Sequence, residues 1–319
     1  AVKSALAQTY EDMEIIISDD CSTDGSYQRI LSTCKLYPNV RRLVLRRNSE
    51  NLGIVEHLNR LVRLASGRLI VVGAGDDVAM PDKTRRLVQE WKRSGALVFG
   101  CNPKVIDAEG IPIGRFYSGN IPESFDCMAM IRRRNAGLFL CAFDRKVFDV
   151  FGPLDAEQDL EDQVIPFRAS LLRENGIQVI NEPLVYYRAH HDSIVASLRF
   201  SHNSKPLEVL RRKISGYVLL YRSWLHDLNK IMSVNPDKFL NEKKSLSKRL
   251  TIMESIEKVV MGDSISSRLH AWRAGVSSKS VPGYYALPLL ALVLFPEFTA
   301  TMASSFHWFL YLRRPERGV

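Results

Sequence analysis

Apolar positions along the first third of the chain alternate between two spacings. Short apolar runs rich in β-branched residues predict buried strands, and helical spacing between them predicts amphipathic helices. The predicted strands cover residues 13–18, 40–48, 68–73 and 96–106, and the predicted helices cover residues 27–37, 53–66 and 81–95. This alternation predicts an α/β fold with a mainly parallel sheet flanked by helices.

Two of the predicted strands are each followed by a pair of adjacent carboxylates. Asp19 and Asp20 follow the run MEIIIS, and Asp76 and Asp77 follow RLIVVGAG. Ligands of such sheets bind beyond the carboxyl ends of the strands, so both pairs are candidate binding residues at one edge. Two like charges at the end of a buried strand are costly alone, which predicts a positive group near them.

The second half of the chain changes character partway along. Residues 159–176 predict a helix that starts with acidic residues, which the helix dipole favours at that end. From residue 205 onward, apolar positions recur every three to four residues, which predicts two long amphipathic helices. We therefore predict an α/β domain over residues 1–204 and a helical region over residues 205–319.

The carboxyl-terminal tail is apolar and aromatic, and it ends close to Arg313 and Arg314. Its longest uncharged apolar stretch, residues 284–296, is shorter than the ~20 residues that a membrane-spanning helix needs. Aromatic residues ahead of arginines are typical of a segment that lies on an anionic membrane surface. A helical pair that packs on the domain explains the same pattern equally well.

The chain is moderately basic. Its 319 residues include 44 Lys and Arg against 35 Asp and Glu, for a formal net charge of +9. This surplus favours an acidic partner: a phosphate-bearing substrate, an anionic membrane face or nucleic acid. Nucleic acid is the least favoured, because no cluster combines aromatic and basic residues as single-strand binding requires. Five cysteines without a CxxC spacing argue against disulfides or a zinc site and favour the cytoplasm.

Four motifs, taken in order, resemble the inverting glycosyltransferases of family 2. They are IIISDDCSTDGS, the stretch from NLGIVEHLN to GDDVAMPD, LEDQVIPFRA and VYYRAHHDSI, and they span roughly residues 1–195. The resemblance implies a GT-A type, Rossmann-like fold that binds a nucleotide-sugar. The family usually has a further first strand upstream of SALAQTY, and the resemblance therefore predicts an amino-terminally truncated domain.

The resemblance implies donor-binding roles for the acids at the two strand ends. Asp19 is expected to accept a hydrogen bond from the nucleotide base, and Asp20 either joins it there or caps the turn. Asp76 and Asp77 fall on the family's D-x-D motif, which contacts the ribose and a divalent metal, Mg²⁺ or Mn²⁺. The family usually has another acid at the position of Ala74, so here Asp76 and Asp77 take both roles.

The resemblance also implies a catalytic base. Inversion requires one base that deprotonates the acceptor hydroxyl, and Asp162 matches this position, with Glu161 orienting it or the acceptor. Asp159 is a lesser rival for the role. The structural alternative is that these acids only favour the dipole of the helix that they begin.

A basic segment after the last predicted strand completes the family pattern. His190 matches a histidine that completes the metal shell or touches the diphosphate, and Arg188 is placed to meet a phosphate. His191 competes with His190 for this role, and a purely structural histidine is equally consistent with the sequence.

The predicted function is therefore an inverting, metal-dependent glycosyltransferase. It would move a sugar from a nucleotide diphosphate donor to a saccharide or lipid-linked acceptor, in surface polysaccharide or glycolipid synthesis. The basic charge and the tail favour a peripheral location at the inner face of the cytoplasmic membrane. The alternatives are a nucleotidyltransferase, which needs a Gly-rich basic loop, and a non-catalytic nucleotide-sugar binder or scaffold, which Ala74 motivates.

Overall fold

The protein divides into two compact units in a computed structural model. The first comprises Ala1–Met130 and Asn135–His190, and the second comprises Ile131–Arg134 and His191–Val319. The structure describes residues 1–38, 40, 42–115, 125–133, 138–157, 160–189, 206–278, 280, 290–291 and 293–294. The predicted boundary between residues 204 and 205 lies outside these described residues.

Helices and strands alternate along the first unit as the hydrophobic pattern predicts. The helices are α1 (Val2–Leu6), α2 (Ser26–Cys34), α3 (Gly53–Leu64), α4 (Lys83–Ser94), α5 (Cys127–Arg133, which enters the second unit), α6 (Lys146–Phe151) and α7 (Glu161–Leu172). The strands are β1 (Ile15–Asp19), β2 (Leu43–Arg47), β3 (Leu69–Val71), β4 (Val78–Ala79), β5 (Val98–Cys101), β6 (Lys104–Ile106), β7 (Pro112–Arg115), β8 (Phe139–Asp144), β9 (Ile177–Ile180) and β10 (Val185–Arg188). The single strand predicted at 96–106 is two strands, β5 and β6, separated by Asn102 and Pro103, because proline has no N–H for a strand ladder.

The described strands form three sheets, ordered β1–β2, β4–β10–β6–β7 and β3–β8–β5–β9. Four of the seven pairings among these strands are antiparallel. The α/β class is confirmed, but the sheets are mixed rather than mainly parallel. The difference arises largely from β8, which lies antiparallel between β3 and β5 and pairs Leu69 with Asp144 and Val98 with Phe143.

One apolar core of the first unit lies between the β3–β8–β5–β9 sheet and α4. Leu87 from α4 and Phe99 from β5 are fully buried in it. Glycine is favoured at position 100, because a Cβ atom there would lie 2.9 Å from the backbone carbonyl oxygen of Phe139 as well as against the Leu138 side chain. The core therefore fixes the position of β3, and Asp76 and Asp77 follow the carboxyl end of this strand.

Helix α1 packs against the segment that follows β3 and orders it. Ser4 Oγ accepts a hydrogen bond from the Ala79 N–H at 3.0 Å. The Gln8 amide donates to the Met80 carbonyl at 2.8 Å and accepts from the Thr84 N–H at 2.9 Å. These bonds anchor β4 and the start of α4, which directly follow Asp76 and Asp77.

The second unit confirms the predicted helical carboxyl-terminal region. It contains α8 (Pro206–Met232), α9 (Leu240–Met261) and α10 (Ile265–Ser277). The Arg211 guanidinium donates to the Val260 carbonyl at 2.9 Å, and Arg222 pairs with Glu254 at 2.9 Å. Trp224 is fully buried, as its place in the apolar period predicts.

In the part of the chain that the structure describes, no helix combines the length and the apolar character needed to cross a membrane. Apart from residues 290–291 and 293–294, the tail predicted to contact a membrane surface lies outside the described residues. The membrane-surface contact therefore stays a prediction.

Candidate active site

Asp76 and Asp77 lie between β3 and β4, beyond the carboxyl end of β3. Asp77 is 7% exposed, and its Oδ1 accepts a hydrogen bond from the backbone N–H of Arg188 at 3.0 Å. Arg188 ends β10, which pairs with β4 through Tyr186 and Val78. The strand pairing therefore brings two sequence-predicted site residues, Asp77 and Arg188, into contact.

The Arg188 guanidinium binds backbone carbonyls on two segments. Its Nε donates to the Asp76 carbonyl at 3.2 Å, and its Nη1 donates to the carbonyls of Asp107 and Ala108 at 3.0 and 2.7 Å. Arg188 thus ties the Asp76–Asp77 segment to the turn between β6 and β7. The phosphate contact expected of Arg188 stays a prediction beside this structural role.

The acidic pair has a positive neighbour that the sequence did not identify. Burial, together with the charge of Asp76, raises the pKa of Asp77 to about 6. The Arg188 N–H and the charge of Lys83 act in the opposite direction and do not offset burial. Lys83 is 3% exposed and donates to the Val72 carbonyl at the end of β3. No sequence pattern marks this lysine for burial, because α4 is basic along most of its length.

The Asp76–Asp77 pair fits a divalent cation of the kind the sequence predicts. Mg²⁺ and Mn²⁺ prefer oxygen ligands and are often held by one or two carboxylates together with substrate phosphates and water. The described residues contain no group of three His, Cys, Asp or Glu side chains that could hold a metal by themselves. The predicted third ligand, His190, lies outside the described residues. The donor set therefore suits a cation that is shared with a bound diphosphate.

Asp19 ends β1 and is paired with an arginine across the β1–β2 sheet. The parallel register places Asp19 opposite Arg47, whose Nε donates to Asp19 Oδ2 at 3.1 Å. The same oxygen accepts the Ser22 N–H at 3.0 Å, and Asp19 is 4% exposed. This geometry fixes the carboxylate at the carboxyl end of the strand, where its predicted contact with a nucleotide base would be made.

Asp20 holds the loop that begins α3. Its carboxylate accepts hydrogen bonds from the backbone N–H groups of Leu52 and Gly53, both at 3.0 Å, and from the Asn48 amide at 2.7 Å, and it lies 3.2 Å from His57 Nδ1. Burial alone would raise the pKa of Asp20, but the bonds from Asn48 and Leu52 lower it. Asp20 thus holds the start of α3, a role that the sequence did not predict, and its predicted turn-capping and nucleotide roles stay predictions.

Glu161 and Asp162 form the first turn of α7, as the sequence predicts. Burial raises the pKa of Asp162 to about 6. A carboxylate with this pKa is ionised at neutral pH and is more basic than an ordinary aspartate, which suits proton abstraction. The rival residue, Asp159, lies outside the described residues.

Comparison with known proteins gives the same family over the first part of the chain. Residues 1–148 match the family described as Glycosyl transferase family 2. An uncharacterised glycosyltransferase from Nostoc sp. is 28% identical over 197 residues, 60% of each chain. The Escherichia coli protein WfaP, named as a UDP-Glc:α-D-GlcNAc-diphosphoundecaprenol β-1,3-glucosyltransferase, is 28% identical over 199 residues, 61% of this chain and 73% of WfaP.

A likeness to solved structures supports the predicted GT-A type fold. The crystal structure of S. aureus TarS 1–349 in complex with UDP-GlcNAc aligns with a TM-score of 0.50 at 17% identity. The alignment covers 87% of this chain and 86% of the TarS chain. At this identity the likeness concerns the fold alone.

The family assignment concerns the amino-terminal part of the chain. The matched segment carries both acidic strand ends, with Asp19 and Asp20 after β1 and Asp76 and Asp77 after β3. The chain spans 60% of the Nostoc relative's length and 32% of the length of the Rhizobium meliloti protein ExoO. Residues 1–148, just under half of the chain, are therefore similar to glycosyltransferase family 2.

Proposed function

We propose that this protein is an inverting glycosyltransferase that uses Mg²⁺ or Mn²⁺. It transfers a sugar from a nucleotide diphosphate donor to a hydroxyl group of a saccharide or lipid-linked saccharide. The observation that carries the proposal is the Asp76–Asp77 pair beyond β3, where Asp77 is buried and held by the Arg188 N–H. A buried carboxylate beside a second carboxylate favours a bound cation, and a diphosphate is a natural partner for that cation.

In this proposal the nucleotide-sugar donor binds beyond the carboxyl ends of β1 and β3. Asp76 and Asp77 would hold the cation, which when bound neutralises charge on the diphosphate leaving group. Asp19 accepts a hydrogen bond from the nucleotide base, in an orientation fixed by Arg47 and the Ser22 N–H. Arg188 keeps the acidic pair in position through the Asp76 carbonyl.

Asp162 acts as the base on the acceptor side. Its carboxylate takes the proton from the acceptor hydroxyl as that oxygen forms a bond to the anomeric carbon. The bond from the anomeric carbon to the diphosphate breaks on the opposite face, and the nucleoside diphosphate leaves with the electron pair. One displacement of this kind inverts the anomeric configuration. The raised pKa of Asp162, about 6, supports this role.

The relatives support an acceptor attached to a lipid. WfaP and WfgD of Escherichia coli are both named for transfer to a sugar on diphosphoundecaprenol. By likeness to these proteins, we propose a lipid-linked saccharide acceptor and a peripheral position at the membrane where such acceptors lie. The basic net charge of +9 agrees with an anionic membrane face.

A screen of nucleotide-sugars with and without Mn²⁺ tests the proposal. We expect Mn²⁺-dependent binding of one donor, slow donor hydrolysis, and transfer to a matching acceptor with inversion. NMR of the product identifies its anomeric configuration. Absence of metal-dependent donor binding across the screen would contradict the proposal. Binding without hydrolysis or transfer would instead indicate a non-catalytic nucleotide-sugar binder, and pyrophosphate release from a nucleoside triphosphate and a sugar phosphate would indicate a nucleotidyltransferase.

A further inference from the structure

A cavity of about 480 Å³ lies in the first unit, away from the acidic site. Its lining includes the segment Gly95–Leu97 and the charged residues Arg68, Lys92, Asp144, Lys146 and Arg173. Arg68 precedes β3 and Leu97 precedes β5, so the cavity lies at the amino-terminal ends of these strands. Asp76 and Asp77 follow β3, at the other end of the sheet, so the cavity is separate from the proposed donor site.

Trp91 and Asp144 orient the Arg68 guanidinium at the cavity, while 74% of the Arg68 side chain is exposed. Its Cζ lies 5.1 Å from the centroid of the Trp91 ring, and its Nε lies 3.4 Å from Asp144 Oδ2. The Trp91 indole donates to the same oxygen at 3.0 Å, and the Lys146 N–H donates to Asp144 Oδ1 at 2.9 Å. Asp144 is 1% exposed, and these bonds commit it to positioning Trp91 and Arg68.

A second guanidinium is held at the other wall of the cavity. Arg173 donates to the Ser94 carbonyl at 3.2 Å and packs over Gly95. A Cβ atom at Gly95 would lie 2.9 Å from Arg173 Nη1, so the absence of a side chain there makes room for the guanidinium. Gly95 also has a φ of +63°, which favours glycine at the end of α4. Each of the two exposed arginines thus has contacts in the protein that orient its guanidinium at the cavity.

The charges around the cavity do not cancel. Four cationic side chains line it, against the single carboxylate of Asp144. The carboxyl ends of α4 and α7 face the same region, and each adds about half a negative charge. A surplus of about two positive charges remains after both effects are counted. All four cationic side chains are exposed, so an anion can reach them from solvent, and the two arginines supply forked N–H donors.

We propose that this cavity is a second ligand site that binds a phosphate-bearing anion. A phosphate or diphosphate group matches the surplus charge, and its oxygens match the forked N–H donors of Arg68 and Arg173. The group belongs either to a soluble phosphate ester or to the head group of an anionic lipid. Both share the chemistry that the cavity recognises, and the site does not depend on the proposed transfer reaction.

Binding of inorganic pyrophosphate to the full chain tests the proposal, in EDTA so that the acidic pair holds no cation. We expect saturable, salt-sensitive binding to the wild type. We expect it to weaken at least about tenfold when Arg68 and Arg173 are both replaced by alanine. Asp77→Asn, in the donor site, is expected to bind pyrophosphate as the wild type does. No binding by the wild type, or equal binding by R68A/R173A, would overturn the proposal.

Two further variants separate binding from folding. Lys92→Ala with Lys146→Ala changes only exposed side chains, so it remains folded and is still expected to weaken pyrophosphate binding. Arg93→Ala is the matched control, because Arg93 is exposed on the same helix and pairs with Glu90 outside the cavity. Unchanged binding by K92A/K146A, or an equal loss in Arg93→Ala, would contradict the proposal.

Vesicles of phosphatidylglycerol in phosphatidylcholine identify the source of the phosphate. If the cavity variants lose vesicle binding together with pyrophosphate binding, the result supports the site and assigns it to a lipid head group. If they lose only pyrophosphate binding, the result supports the site and assigns it to a soluble phosphate ester. Vesicle binding that falls equally in Arg93→Ala reflects general surface charge and counts against a lipid site.

Discussion

The backbone N–H of Arg188 binds the Asp77 carboxylate, and the Arg188 side chain binds the backbone of the preceding residue, Asp76. The Arg188 N–H donates to Asp77 Oδ1 at 3.0 Å, and the Arg188 Nε donates to the carbonyl of the adjacent Asp76 at 3.2 Å. The same guanidinium reaches the carbonyls of Asp107 and Ala108. One arginine therefore fixes the acidic pair relative to the end of β10 and the turn after β6, and this defines the geometry on which metal and donor binding depend.

Replacing Arg188 by lysine tests this positioning role. A lysine has one ammonium group and cannot reach all three carbonyls, so we expect a loss of about 1–3 kcal/mol in unfolding free energy. We also expect weaker donor binding in the presence of Mn²⁺, measured by calorimetry beside thermal unfolding. Arg63→Lys is the control, because Arg63 pairs with Glu56 on an exposed face of α3. Wild-type stability and donor affinity in Arg188→Lys would exclude the positioning role.

Replacing Asp77 by asparagine tests the metal site. An amide is a weaker ligand for a hard cation than a carboxylate, so we expect the Mn²⁺ enhancement of donor binding to fall at least about tenfold. Donor binding in EDTA is expected to change little. Asp82→Asn is the matched control, since Asp82 precedes α4 and accepts a hydrogen bond from Thr9 at 2.6 Å, outside the acidic pair. If Mn²⁺ enhances donor binding by Asp77→Asn as much as by the wild type, Asp77 is not a metal ligand.

The elements of the fold were largely predictable, and the strand pairing was not. The two long helices predicted after residue 205 are α8 and α9, and the predicted helix at 53–66 is α3 with its end shortened by two residues. All three follow from apolar spacing alone. The antiparallel position of β8 between β3 and β5 depends on contacts between distant segments, which periodicity does not encode. The expectation of a mainly parallel sheet was wrong for this reason.

In the candidate site, too, local features were predictable and contacts between distant segments were not. Asp76 and Asp77 could be found because two charges follow an apolar strand, a local feature of the sequence. Of their positive neighbours, Arg188 was identified through the family resemblance, whereas no local signal distinguishes Lys83 from the exposed basic residues of α4. The partners of Asp20 were unpredictable for the same reason. Leu52 and Gly53 lie at the start of α3, more than thirty residues away in the chain.

The pH dependence of transfer tests Asp162 as the base. With a pKa of about 6, Asp162 is protonated at low pH and cannot accept the hydroxyl proton, so kcat/KM should rise with pH and level off above about 7. Asp162→Asn should lower kcat by about 10²–10⁴-fold with nearly unchanged donor binding. Glu157→Gln, at an exposed acid shortly before α7, is the control. Transfer by Asp162→Asn at the wild-type rate would exclude the assignment.

The stability of the same variant tests the burial of Asp162 without any substrate. The folded-state pKa is raised to about 6, so the folded protein binds the proton more tightly than the unfolded chain. Ionising this carboxyl therefore destabilises the fold progressively between ~pH 4 and ~pH 6, and the cost is complete above that range. We expect the stability of Asp162→Asn relative to the wild type to increase as the pH rises through this range. Thermal unfolding at several pH values measures this difference. A constant difference would contradict burial of the carboxyl.

Asp20→Ala distinguishes the structural role of Asp20 from its predicted nucleotide contact. The variant removes hydrogen bonds to Asn48 and to two N–H groups at the start of α3, so we expect a loss of about 2 kcal/mol in unfolding free energy. Because these bonds lower the pKa of Asp20, its contribution is complete above ~pH 4, the unfolded-state range, and is lost as the pH falls below it.

Asp24→Ala is the matched control for this loop. Asp24 is exposed and accepts a backbone hydrogen bond from Ser26, so its removal should destabilise the fold clearly less than the removal of Asp20. Donor affinity, measured by calorimetry well below the melting temperature, separates the two roles of Asp20. Because its oxygens already hold the α3 loop, we expect Asp20→Ala to weaken donor binding far less than Asp19→Ala. An equal loss of affinity in both variants would show that Asp20 contacts the nucleotide directly.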